Sequence, residues 1–215
     1  MKTNHPVILF DLWFTLIYGL TTDPVLTLQR TLSGDPTAKM DEEFLTSCMT
    51  LDVKQPARFL KRVAKAHGFE PTPDAAAGFR KLLKQVRLAA GKFPETDAVL
   101  TELKRRGYRL GLISNLWPFG VKQFFGQMGL GAHFEHLIFS FEAGFRKPSP
   151  QIFLHACRLF NVEPRQCLMV GDSLESDVMG AHSVGMDARH VVRNGQAVIL
   201  PAGAKPIASL ADLLV

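Results

Sequence analysis

Pro6-Val7-Ile8-Leu9-Phe10-Asp11-Leu12-Trp13-Phe14-Thr15 is a short apolar run that stops on a carboxylate, and it decides how the rest of the chain reads. A run of this length bounded by polar residues has the pattern of a buried strand, here Pro6 to Phe10. The pattern returns twice: Tyr108 to Ile113 runs into Ser114-Asn115, and Cys167 to Val170 runs into Gly171-Asp172-Ser173, with Asp177 just beyond. In a parallel α/β sheet, strands that end in polar residues deliver them to one edge, where such folds place ligands. A fourth piece, Arg146-Lys147-Pro148, adds a cation. The set offers a carboxylate, a small hydroxyl, a fixed positive charge and a pair of acids, which suits a carboxylate nucleophile acting on an anionic substrate.

The signals between the first strand and the second are helical. Asp23-Pro24 opens a segment that Gly34 closes, Pro56 to His67 is bounded by Gly68, and Thr72-Pro73 opens another that Gly91 ends. In the last of these Phe79, Leu82, Leu83 and Val86 share one helical face, with Arg80, Lys81, Lys84 and Arg87 elsewhere. From Pro94 onward helices and strands alternate. We expect helices over 96–106, 118–128, 150–160 and 175–184, and strands over 108–113, 137–141, 167–170 and 190–192. Such βαβ repetition predicts an α/β fold with a doubly wound parallel sheet core and a helical block inserted after strand one. The boundaries that follow are a core of residues 1–18 and 93–215 and a helical cap of residues 19–92.

Composition narrows the class. The chain has 215 residues, 47% hydrophobic and 21% charged, which is the make-up of a globular protein with a core and not of a disordered one. No apolar run approaches the ~20 residues of a membrane span. Asp11 interrupts the N-terminal apolar stretch and no small-residue cleavage site follows, so it is expected to be a strand and not a signal peptide, and the protein is expected in the cytoplasm. Cys48, Cys157 and Cys167 are odd in number and widely spaced, without a CxxC, which argues for packing and not for disulfides or zinc.

In order and separation, the four segments resemble the four motifs of the haloacid dehalogenase-like (HAD) hydrolase superfamily, over nearly the whole chain. An isolated Asp and Thr at a strand end most often just cap a turn; four ordered matches carry the resemblance. It implies the Rossmann-like HAD fold and a catalytic Asp11 that forms a covalent aspartyl intermediate. It makes Lys147 the catalytic and substrate-binding lysine that balances the charge of nucleophile and phosphate. Thr15, Ser114 and Asn115 become substrate-binding residues, the last through its backbone N–H. The implied cofactor is Mg²⁺, held by Asp11, Asp172 and the backbone carbonyl of Trp13, with Asp177 supporting. Hard oxygen ligands are what this ion selects.

Trp13 departs from the phosphatase pattern, in which a second Asp stands at this position as general acid and base. A phosphate monoester then lacks a proton for its alkoxide, a loss worth about 10²- to 10⁴-fold in rate. Halide departure needs no proton, and the L-2-haloacid dehalogenases of the superfamily carry an aromatic residue at this place. Gly171-Asp172-Ser173 with Asp177 nevertheless resembles the metal-binding phosphatase form. The leading expectation is therefore a Mg²⁺-dependent phosphatase of a small phosphorylated metabolite. A metal-independent 2-haloacid dehalogenase-like enzyme and a weakly active ligand-binding protein are the alternatives. Between Lys61 and Lys92 eight basic residues face two acidic ones, a local charge of +6 beside +5 for the whole chain. That surplus suits a lid that gathers small anions. No aromatic-and-basic stacking pattern accompanies it, so a nucleic-acid partner is not expected.

Overall fold

The computed structural model describes residues 5–19, 22–119, 121–193 and 199–215. Its main sheet has six strands: β1 (Val7–Phe10), β4 (Arg109–Ser114), β5 (His136–Phe139), β6 (Cys167–Gly171), β7 (Asp187–Val191) and β8 (Ala204–Ile207). They run in the order β5-β4-β1-β6-β7-β8, and every neighbouring pair is parallel. Two further strands, β2 (Ile17–Tyr18) and β3 (Gly91–Lys92), form a separate antiparallel ribbon.

Alternation along β1 builds both faces of the core, since successive side chains of a strand point to opposite sides. Ile8 and Phe10 pack with Val99, Leu100 and Leu103 of α5 (Thr96–Arg105). Val7 and Leu9 pack with Ile152, Phe153 and Phe160 of α8 (Pro150–Phe160) on the other face. With four buried residues in succession, β1 is a strand covered on both sides, as parallel sheets require.

Among the described residues, four helices lie between β2 and β3: α1 (Pro24–Ser33), α2 (Glu42–Thr50), α3 (Pro56–Ala66) and α4 (Pro73–Ala89). Their starts follow from capping side chains that accept otherwise orphaned N–H groups. Asp23 accepts from Val25 and Leu26, Asp41 from Phe44, and Thr72 from Ala75. These helices share an apolar cluster of Val25, Leu28, Phe44, Phe59, Val63 and Phe79, which Trp117 joins from the loop after β4. α2 also reaches the core: Arg146 donates to Thr46 and pairs with Glu42.

Several expected elements differ in detail. α2 was not anticipated as a separate helix. The strand expected over 137–141 is His136–Phe139, and Ser140 instead begins the one-turn α7 (Ser140–Ala143). The helix expected from Pro118 is α6 (Val121–Met128). The helix expected over 175–184 is a π-helical turn, Leu174–Met179, followed by the short α9 (Gly180–His182). The strand expected at 190–192 is β7, and β8 beyond it had no counterpart in the sequence reading.

Candidate active site

β1 lies at the centre of the sheet. From it the chain moves to β4 and β5 on one side, then returns to β6, β7 and β8 on the other. The reversal opens a crevice beyond the carboxyl ends of β1 and β6, the place where open α/β sheets bind ligands. Asp11 follows β1 and Asp172 follows β6, so the two acids flank that crevice. Asp11 is fixed there by its own N–H, which donates to the Val170 carbonyl at 2.9 Å.

The loop after Asp11 folds tightly back on itself. Leu16 and Ile17 both donate to the Leu12 carbonyl, and Phe14 takes a φ of 59°, left-handed and uncommon for a side chain of this size. An arginine just beyond β7 holds it. Arg193 donates to the Thr15 carbonyl at 2.8 Å and to Glu95 at 2.6 Å, while its guanidinium lies 3.5 Å from the centroid of the Phe93 ring. The side chain thus spends its fork and its flat face on a single task.

Lys147 connects the acids. Its Nζ donates to Asp11 Oδ1 at 2.6 Å and to Asp177 Oδ1 at 2.5 Å, and the lysine is only 2% exposed. Both oxygens of Asp177 are occupied, because Oδ2 accepts the Ser173 N–H at 3.0 Å. The Lys147 backbone is held in turn by Asn115, whose Nδ2 donates to the Lys147 carbonyl while its Oδ1 accepts the Lys147 N–H. The Asn115 side chain is therefore a brace for the lysine loop, a use the sequence reading did not foresee. His190 is another residue it missed. Its Nε2 lies 2.8 Å from the Asp172 carbonyl, which can only accept, so Nε2 carries the hydrogen, and Nδ1 is buried without a partner among the described residues.

Two hydroxyls are also buried and unpartnered: Thr15 Oγ1 and Ser114 Oγ. Buried polar atoms are nearly always hydrogen-bonded, so two orphans, one in the loop after β1 and one on the last residue of β4, call for a polar ligand. The electrostatics point the same way. Burial, with Asp177 adding to it against the pull of Lys147, pushes the Asp11 carboxyl up to about 6. Burial and then the charges of Asp11 and Asp177 push Asp172 up to about 8. Burial opposes the charge on Lys147, yet the two carboxylates that touch it hold its ammonium above the ordinary lysine range. Asp11, Asp172 and Asp177 each offer an oxygen within 4.8 Å of the others. Three acids around one lysine leave an excess of negative charge, and hard carboxylate oxygens are a donor set that fits Mg²⁺.

A family model described as haloacid dehalogenase-like hydrolase matches residues 6–185, and the chain belongs to that family. Among curated relatives, the glyceraldehyde 3-phosphate phosphatase of Methanothermobacter thermautotrophicus is 41% identical over 98 residues, which cover 45% of this chain and 42% of that protein. The phosphoserine phosphatase of Thermus thermophilus is 39% identical over 101 residues, 47% of this chain and 41% of that protein. These matches span less than half the length of either relative. Among solved structures, a HAD phosphatase from Thermococcus onnurineus is 28% identical with a TM-score of 0.63, covering 96% of this chain and 95% of its own. A 2-haloacid dehalogenase from Pseudomonas syringae has the same fold at 21% identity and a TM-score of 0.63, over 97% and 96% of the two chains.

Proposed function

We propose that this chain is a Mg²⁺-dependent cytoplasmic phosphatase that hydrolyses a small phosphorylated metabolite through an aspartyl-phosphate on Asp11. The observation that carries the reading is the buried Lys147 bridge between Asp11 and Asp177, set beside the unpartnered hydroxyls of Thr15 and Ser114. Asp11 attacks phosphorus. Lys147 offsets the charge of attacking and transferred oxygens, and the two hydroxyls with the Asn115 N–H hold the phosphoryl oxygens in place. Asp177 keeps the lysine aimed at Asp11. Asp11, Asp172 and the Trp13 carbonyl would hold the ion, whose chemistry when bound is to neutralise charge on the phosphoryl oxygens. In this reading residues 19–92 form the cap over a core of 1–18 and 93–215, and its basic helices draw in the anionic substrate.

The test is hydrolysis of acetyl phosphate and a panel of sugar phosphates by purified protein, with Mg²⁺ and with EDTA, beside Asp11→Asn. Turnover that requires the ion and vanishes in the variant is expected; equal rates with and without EDTA refute the metal dependence. A second reading, a 2-haloacid dehalogenase, is favoured by one observation, the Trp13 side chain lining an apolar cavity. Chloride release from 2-chloropropionate decides for it, and its absence removes it.

A further inference from the structure

Between the core and α4 lies a cavity of about 370 Å³. Leu12, Trp13, Leu116 and Trp117 wall it from the core side, and Leu83 and Val86 close it from the cap. The core walls are the sequence neighbours of the site residues, since Leu12 and Trp13 follow Asp11 and Leu116 and Trp117 follow Ser114-Asn115. A leaving group seated in this cavity would meet aromatic and aliphatic surface. The charged residues among the described lining are Lys84 and Arg87, both exposed cations on α4. No carboxylate and no imidazole, the groups that most often protonate a departing oxygen, is among them, and the exposed Lys84 and Arg87 offer that oxygen positive charge.

We infer that this cavity is the leaving-group pocket for an aryl or aroyl phosphate: a flat apolar ring system whose oxygen departs as an anion. The inference rests on the phosphatase reading and names its substrate class. As an Asp11 oxygen bonds to phosphorus, the bond from phosphorus to the aryloxide or aroyl carboxylate breaks, and the electron pair leaves with that oxygen toward Lys84 and Arg87. Water then adds to phosphorus and the bond to Asp11 breaks. Asp11 regains its carboxylate, and the product is dihydrogen phosphate, which releases its proton to solvent.

Two measurements test this. Benzoyl phosphate and acetyl phosphate carry similar leaving acids and differ in the ring, and burying a ring is worth about 10- to 100-fold in kcat/KM in favour of the benzoyl ester. Leu83→Arg should drive that ratio toward one. The second measurement needs no turnover. Trp13 and Trp117 are the chain's two tryptophans and both line the cavity, so intrinsic fluorescence reports its occupancy. 1-Naphthylphosphonate should shift the emission at concentrations where methylphosphonate does not. A ratio near one together with unshifted emission overturns the inference and leaves the phosphatase reading standing. Absence of turnover of either ester, with the emission shift intact, overturns the phosphatase reading while the ring-binding pocket stands.

Discussion

Replacing Lys147 with methionine separates the charge of this residue from its volume, because the two side chains are of similar length and methionine fills irregular apolar space well. Lys147 is 2% exposed, between Asp11 at 7% and Asp177 at 1%. Removing one partner of a buried ion pair leaves an uncompensated charge and typically costs about 3–5 kcal/mol. Asp11 has an escape, which is to take up a proton: it already sits at about 6 with the lysine in contact, and without that cation it holds its proton to still higher pH. At pH 5 it is protonated with little penalty. At pH 8 it must either stay charged without its partner or be protonated against the solution, at about 1.4 kcal/mol per pH unit. The expected loss is therefore close to the full range at pH 8 and about 1 kcal/mol at pH 5. At ~2–4 °C per kcal/mol for a chain of this size, melting should fall by about 6–20 °C at pH 8 and by only a few degrees at pH 5. Differential scanning fluorimetry in EDTA at both values measures this, and phosphatase turnover should drop by about 10²- to 10³-fold at either. An equal depression at both pH values, or none at either, refutes the account of Lys147 as counter-ion to buried acids.

In the wild-type protein without divalent ions, Asp11 and Asp172 keep protons when folded that the unfolded chain gives up near pH 4. Stability should thus decline as pH rises from about 4 toward 8, and Mg²⁺ should raise the melting temperature more at pH 8 than at pH 5.5; an ion effect independent of pH would contradict the raised carboxyls. Gly171→Ala should cost at least tenfold in turnover, because a Cβ at this position overlaps the Asp177 carboxylate and pushes it off Lys147; activity within twofold of wild type counts against the bridge. Trp13→Asp should raise hydrolysis of alkyl phosphates by up to about 10²-fold, and by more than it raises that of aroyl phosphates, since only the alkoxide needs the added proton while both need an activated water. The half-buried Trp13 ring lies over Gly19, so its loss should cost less than the ~3–5 kcal/mol of a fully buried aromatic, and a folded variant with unimproved alkyl phosphate rates defeats the explanation of the missing acid.

The sheet was legible because each central strand is covered on both faces and so reads as an unbroken apolar run, and because Asp23, Thr72, Gly34 and Gly107 mark helix ends with residues suited to those positions. β8 was not legible: Ala204-Lys205-Pro206-Ile207 is an edge strand with two exposed residues, and proline is tolerated there because, among the described residues, one side of the strand has no partner. The ribbon of β2 and β3 is two residues long on each side and leaves no period to detect. Within the site, Asp11, Ser114, Lys147, Asp172 and Asp177 could be picked out because each stands just after a strand or in a short motif. Arg193 and His190 could not. Each binds a backbone carbonyl distant in sequence, Thr15 for Arg193 and Asp172 for His190, and a carbonyl is carried by every residue alike. The brace formed by Asn115 escaped for the same reason, since its partners are the backbone groups of Lys147.

The place of β1 between β4 and β6 also sets an order of assembly opposite to the order of synthesis. The strand that carries Asp11 leaves a ribosome before its neighbours, and neither of its edges has a partner until Arg109–Ser114 and then Cys167–Gly171 have followed. The helices between β2 and β3 make mostly local contacts and can gather while that strand waits. Loop closure across such separations is slow compared with helix formation. Asp11 is thus made ahead of the strands that hold it and is put in place only once they, and the arginine that steadies its loop, have left the ribosome.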